Sequence, residues 1–355
     1  QDLYDPARLA ELSECFYSWL AAADAELAAR FEQYRGGAEI SAVDESNLLV
    51  EMAGRQSTFV AQFFGIEAAV GELAEGVKEL GPLWQFKKQF LGKRVKKITD
   101  DDLQGFDADA FDQVVLDIAA RAGGEGADGE TVFAALVCDL LADPGGAPAL
   151  GVVSGLDSWS AAAAEGEALA DKFLGDAALW CRVRSSQGDQ QSLTSGWASF
   201  KTPARIDFDN LVKVEQPDAD RPWLLEGPAD SRRRRDGFRL TDRRYDIKQI
   251  MSEVDYCILC HVRDKDSCSK GVFDKDGSLS SNPLGIELGG CPLDEKISEM
   301  HACQAEGDSV AALALIMIDN PTVPGTGHRI CNDCMKGCIY QKFEPVNIPQ
   351  IETSV

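Results

Sequence analysis

Eight of the eleven cysteines in this 355-residue chain fall between Cys257 and Cys338. They read as Cys257-Ile258-Leu259-Cys260, then Cys268, Cys291-Pro292 and Cys303, then Cys331-Asn332-Asp333-Cys334-Met335-Lys336-Gly337-Cys338. Thiols at such spacings are either cross-linked or hold metal. Disulfides staple small secreted domains that lack a core, whereas a chain with 45% apolar residues has ample material for one. Two Cys-x-x-Cys pairs make a tetrahedral zinc site when about 15–20 residues separate them. Here roughly seventy intervene, and zinc would leave Cys268, Cys291 and Cys338 without a role. Iron–sulfur cubes suit the pattern better, because a short cysteine run can supply three ligands while a distant cysteine completes the set. Cys257, Cys260 and Cys268 form one run, and Cys331, Cys334 and Cys338 form another, with Cys291 between them. Two cubes are then one ligand short, and counting alone nominates Cys303.

The order Cys-x-x-Cys, Cys, Cys291-Pro292-Leu293, Ile297-x-Glu299, Arg329-Ile330-Cys331, Cys334, Cys338 resembles the N-terminal iron–sulfur domain of the NADPH-dependent glutamate synthase small subunit. The same domain opens dihydropyrimidine dehydrogenase. The resemblance spans residues 243–355 and implies an α-helical ferredoxin-like domain with two [4Fe–4S] clusters in interleaved ligand sets. Carried over, it assigns Cys257, Cys260, Cys268 and Cys338 to one cube, and Cys291, Cys331 and Cys334 to the other. The family's oxygen ligand lies in an Ile-x-x-Ile-Glu-like stretch past the last cysteine. Ile348-Pro349-Gln350-Ile351-Glu352 matches it, so Glu352 inherits the eighth position. Cys303 repeats with Ile297 and Met300 at helical spacing, the pattern of a small buried hydrophobe. The chain departs from the family in two places: residues 269–290 are inserted before Cys291, and the last three cysteines are more closely spaced.

Stepping outward, the elements that must carry these residues read as mainly α. Pro6 follows Asp5 as a helix start, and Leu9, Leu12, Phe16 and Leu20 repeat at helical spacing, which predicts one helix over 6–34 ended by Gly36-Gly37. Further helices are expected over 45–64, 67–79, 83–98, 108–122 and 128–141, with Asp143-Pro144-Gly145-Gly146 as a break. Residues 1–150 thus form a helical docking domain in this reading. Residues 151–242 read as a mixed α/β segment, with a helix over 157–173 and short strands at 179–184, 197–202 and 210–215. Pro217, Pro222 and Pro228 with Gly227 and Gly237 mark a linker into the cluster domain of 243–355. Cys138 and Cys181 sit in apolar runs and read as core.

A net charge of −24 disfavours nucleic acid, whose phosphates require a basic footprint. No apolar run reaches the length of a membrane span, which leaves at most peripheral contact with a membrane complex. Two basic runs interrupt the acidity. Lys87, Lys88, Lys93, Arg94, Lys96 and Lys97 crowd beside Trp84, Phe86 and Phe90, either as a surface for an acidic partner or lipid headgroups or as a solvated helix face. Arg232–Arg235 with Arg239, Arg243 and Arg244 precede the first cysteines, either screening a charged site or lying in a solvated loop. Gly124-Glu125-Gly126-Ala127-Asp128-Gly129 fits a dinucleotide string, but a helix precedes it and its acids repel phosphate, so it reads as a loop. Phe273–Gly277 lacks the glycine and glutamate that a calcium loop needs and reads as a hairpin turn.

His261, His301 and His328 are the only histidines, and no catalytic constellation can be assembled from them. The chain begins at Gln1, with no cleavable signal, so a preceding segment is expected to have been removed. No dinucleotide fold is legible in the chain, whereas flavin and nicotinamide domains follow the cluster domain in the resembled enzymes. The expected function is therefore electron transfer to or from a separate redox protein or multi-subunit complex, with no small-molecule substrate. The expected setting is a reducing compartment, either mitochondrial matrix or bacterial cytoplasm. The alternatives are a structural adaptor whose clusters are staples, or the N-terminal fragment of a longer FAD/NAD(P)H-dependent oxidoreductase.

Overall fold

The computed structural model describes all residues except 1, 124–126, 161–163, 187–192, 213, 228–236, 239–243, 264 and 328–329. The arginine run 232–235 with Arg239 and Arg243, the first half of the glycine string at 124–129, His328 and Arg329 lie outside the described residues. The chain divides into two compact units, one of Gln1–Ala74 with Pro203–Val355 and the other of Glu75–Thr202.

The first unit opens with α1 (Pro6–Ala23), α2 (Ala25–Arg35) and α3 (Ala42–Phe64). Asp5 caps α1, its Oδ1 accepting from the Ala7 N–H at 2.9 Å with Pro6 next in line. The single helix expected over 6–34 is two. Asp24 donates its N–H to the Leu20 carbonyl, leaves helical geometry, and accepts from the Leu27 N–H to start α2. The hydrophobic repeat continues through that break, so periodicity alone does not show it. Ser41 caps α3, and Gly65 ends it in the left-handed region at φ 64°. Leu20, Leu27, Leu48 and Met52 form the buried seam of the three helices. From α4 (Glu67–Lys78) the chain passes to the second unit.

There α5 (Gly81–Gln85), a π turn over Phe86–Leu91, α6 (Ala108–Ala122), α7 (Gly129–Ala142), α8 (Ala147–Ser154) and α9 (Gly166–Ser186) pack around an aromatic centre. Phe86, Phe90, Phe133, Phe173 and Trp180 have no exposed surface. The strand expected at 179–184 is the last third of α9, where Ala177, Ala178, Trp180 and Cys181 are all buried on the helix. The segments 197–202 and 210–215 form turns and one isolated Glu215–Glu226 bridge. Among the described residues there are isolated bridges and no strand ladder, so the mixed α/β middle segment is corrected to helix and turn.

The first unit resumes with α10 (Ile247–Tyr256), α11 (Ser267–Lys270), α12 (Ile297–Ala305), α13 (Ser309–Asp319), α14 (Val323–Thr326), α15 (Asp333–Gly337) and α16 (Ile348–Ser354). Helices α12 and α13 pack on α3. Two hydrogen bonds lock that packing: the Ser46 hydroxyl donates to Glu299 Oε1 at 2.6 Å, and the Ser57 hydroxyl donates to Asp308 Oδ1 at 2.7 Å. The whole is mainly α. The ferredoxin-like double-cluster domain expected over 243–355 is not supported, because no group of metal-holding side chains is assembled among the described residues.

Candidate functional site

Helix α10 delivers the first cysteine. Asp246 and Gln249 form a reciprocal capping box at its start, with bonds of 2.9 and 3.1 Å, and Cys257 caps its end. Leu259 then takes φ 51°, turning the chain so that Cys260 begins a short 3-10 helix. Cys268 lies in α11 and Cys338 at the end of α15. These four cysteines wall a small cavity of about 20 Å³, together with Ser267, Ser298, His301 and Tyr340. Outside it the Tyr256 and Tyr340 rings stack at 4.1 Å, and the Tyr340 hydroxyl donates to the Tyr256 carbonyl at 3.0 Å.

Cys291, Cys331, Cys334 and Glu352 wall a second, larger cavity of about 280 Å³. Its mouth carries Leu293 and Ile330, and Cys331 is exposed there. Its floor is polar. Glu295 accepts from the Asn320 amide at 2.8 Å, and burial together with Glu295 pushes the Glu352 carboxyl up to about 9. The Cys291 N–H donates to the Cys268 carbonyl at 2.9 Å, which ties the walls of the two cavities together.

Glycine makes that junction possible. A Cβ on Gly290 would lie 2.5 Å from the Ser269 carbonyl oxygen, and one on Gly337 would lie 2.6 Å from that of Ser267. Gly290 also holds φ 71°, in the region that side chains avoid. Within the inserted residues 269–290, two successive hairpin turns leave this crossing, the first bridged by Phe273 and Leu279 and the second by Ser281 and Glu287.

The structure thus places all eight residues singled out by sequence around two cavities, four at each, and Cys303 is buried on α12 away from both sets of walls. It does not make them metal centres. Among the described residues, no group of three or more His, Cys, Asp or Glu side chains is arranged to hold a metal ion. Burial pushes the Cys257 thiol up to about 12, Cys291 up to about 11, and Cys260, Cys268, Cys334 and Cys338 upward as well. The two [4Fe–4S] clusters, the iron–sulfur and metal-binding readings and the electron-transfer function built on them are corrected accordingly.

Sequence reasoning gave no role to a set of buried polar groups beside the smaller cavity. His261 Nδ1 lies 2.6 Å from the Ser298 hydroxyl. Among the described residues, the buried His301 has no partner at either ring nitrogen, and burial pushes it down to about 3. Glu299, whose Oε2 also lacks a partner, meets Ser46 from the far end of the chain. A contact between such distant positions leaves no local signal.

Comparison with known proteins points to the other end of the chain. Residues 1–65, which hold α1 to α3, match the model of the RP005 N-terminal alpha-helical domain. The chain is 41% identical over 76 residues to "Uncharacterized protein RP005" of Rickettsia prowazekii (strain Madrid E), a match covering 19% of this chain and 26% of that protein. It is 70% identical over 33 residues to "Uncharacterized protein RP006" of the same organism, covering 9% of this chain and 5% of that protein. No solved structure matches. The resemblance to the glutamate synthase and dihydropyrimidine dehydrogenase iron–sulfur domain is corrected by these findings. What they support is a mainly helical chain related, over 26% and 5% of their respective lengths, to the RP005 and RP006 proteins of Rickettsia prowazekii.

Proposed function

We propose that this chain is a helical protein-association module of a larger assembly. In this reading, the cavity of Cys291, Cys331, Cys334 and Glu352 seats an apolar side chain of a protein partner. One observation supports it: the mouth of a cavity of about 280 Å³ carries Leu293 at 51% and Ile330 at 72% exposure, beside the exposed Cys331. Large apolar side chains around a concavity mark contact surfaces, and anchor residues in pockets carry most of the energy of an interface. Covering a rim side chain contributes about 1.5–3 kcal/mol. The tighter cavity of Cys257, Cys260, Cys268 and Cys338 then serves as the packed support behind it.

The test is a photo-crosslinking amino acid placed at Ile330, with the exposed Leu116 of the other unit as control, in cells of the native host. The expected result is a discrete adduct from Ile330 alone. The protein so identified, once purified, should bind the full chain and lose about tenfold or more in affinity on Ile330→Asp. Identical adducts at both positions, or unchanged affinity, would overturn the reading. So would stoichiometric iron with acid-labile sulfide in anaerobically purified protein.

A further inference from the structure

In the second unit, the six cations between Lys87 and Lys97 sit on a ledge built from the π turn Phe86–Leu91 and a 3-10 turn at Val95–Lys97. The apolar side of this ledge is committed. Phe86 and Phe90 are fully buried and stack at 5.5 Å, Phe86 meets Phe133 edge-on, and Val95 is buried behind them. The backbone is closed as well: the Gly92 N–H reaches the Lys87 carbonyl at 2.9 Å, and the Arg94 N–H reaches that of Phe90 at 2.8 Å. Segments of π geometry are rare and occur often at functional sites.

Among the described residues, the carboxylates that follow are engaged elsewhere than on Lys93, Arg94, Lys96 and Lys97. Asp100 pairs with Arg182, whose guanidinium also holds the Ile98 carbonyl at 3.3 Å and so adds a further cation to the same edge. Asp102 accepts from the Thr99 N–H at 2.8 Å and from its hydroxyl at 2.7 Å. Asp101 takes the Gln104 amide. Lys93 reaches Gln89, and among the described residues Arg94, Lys96 and Lys97 have no carboxylate partner. In a chain of net charge −24, Lys93, Arg94, Lys96 and Lys97 gather four cations within five residues.

We infer that the ledge Lys93–Lys97 is a docking surface for an acidic segment of another protein. Charge complementarity selects the sign, and the burial of the aromatics selects the class. Single-stranded nucleic acid is held by bases stacking on exposed rings, and here Phe86 and Phe90 are fully buried. Insertion of an amphipathic helix into a membrane surface needs exposed apolar residues alongside the cations, and here Val95 faces inward. A short acidic peptide needs only the charges. Because surface charges act over about 8 Å at physiological salt, it is drawn to the ledge without meeting the field of the whole acidic chain.

The experiment uses the purified full chain and a fluorescein-labelled decaglutamate peptide, followed by anisotropy at low and raised salt. The wild type is expected to bind with an affinity that falls as salt rises, and K93E/K96E/K97E to weaken it about tenfold or more. The milder K96Q/K97Q should give a smaller loss in the same direction, and this keeps the test decisive if the triple variant misfolds. Equal binding by wild type and K96Q/K97Q would overturn the inference. So would tighter binding of single-stranded DNA or of phosphatidylserine vesicles than of the peptide.

Discussion

His301 is the side chain whose surroundings say most about the first unit. It is fully buried, both ring nitrogens lack partners among the described residues, and burial pushes it from 6.5 down to about 3. A histidine held below its ordinary value binds its proton more weakly folded than unfolded. Stability is therefore intact above the unfolded value and declines as pH falls from there toward the folded one. Between pH 7 and pH 5 the loss from this residue is about 2 kcal/mol, and His261, lowered chiefly by burial, acts in the same direction. His301→Met should flatten the slope by about that amount, read as urea midpoints at the two pH values. Parallel losses in wild type and variant would show that His301 does not carry the effect. The cysteines teach a different lesson at this scale. Spacing alone ran Cys338 together with Cys331 and Cys334, and only the family resemblance implied the sets that wall each cavity. Neither could show whether those walls converge on a point, because convergence is set by packing between α10, α11, α15 and α16, not by intervals along the chain.

Among elements, the packing of α3 on α12 and α13 is the contact to probe. Ser46→Ala would leave the Glu299 carboxylate buried without its hydroxyl donor, at a cost of about 1–3 kcal/mol. Ser57→Ala should cost less, since Asp308 keeps its bond from the Ala311 N–H. Denaturant midpoints of the two variants would give that order, and the reverse order would mean that Glu299 finds another donor. Helix limits show what was legible here. The helix expected over 108–122 runs there because Asp107 caps it in the usual way, its carboxylate taking the Ala110 N–H, and Val114, Val115 and Ile118 fall on one face. The expected strand at 179–184 failed because a short apolar run reads alike in helix and strand. The buried face of α9 decides between them only when its neighbours are in place.

For the whole molecule, two units with separate cores imply two unfolding transitions. Asp112 anchors the second unit, accepting from Trp180 Nε1 at 2.8 Å and pairing with the buried Arg184, which also reaches Asp109. Asp112→Asn should destabilise this unit by about 2–4 kcal/mol, because it removes the charged partner that holds the buried Arg184 at two nitrogens. In calorimetry it should lower one transition and leave the other in place, while Ser46→Ala lowers the complementary one. If both variants shift a single common transition, the units unfold as one.

The glycine crossing at Gly290 and Gly337 bears on how this chain can change length. With the Cys268 carbonyl bonded to the Cys291 N–H, the segment of residues 269–290 begins and ends at the same spot, so its span is decoupled from everything beneath it. Each doubling of such a closed loop costs only about 0.6 kcal/mol in chain entropy. The fold therefore carries a splice point beside its larger cavity. Segments of very different length can be exchanged there while the cavity walls keep their register.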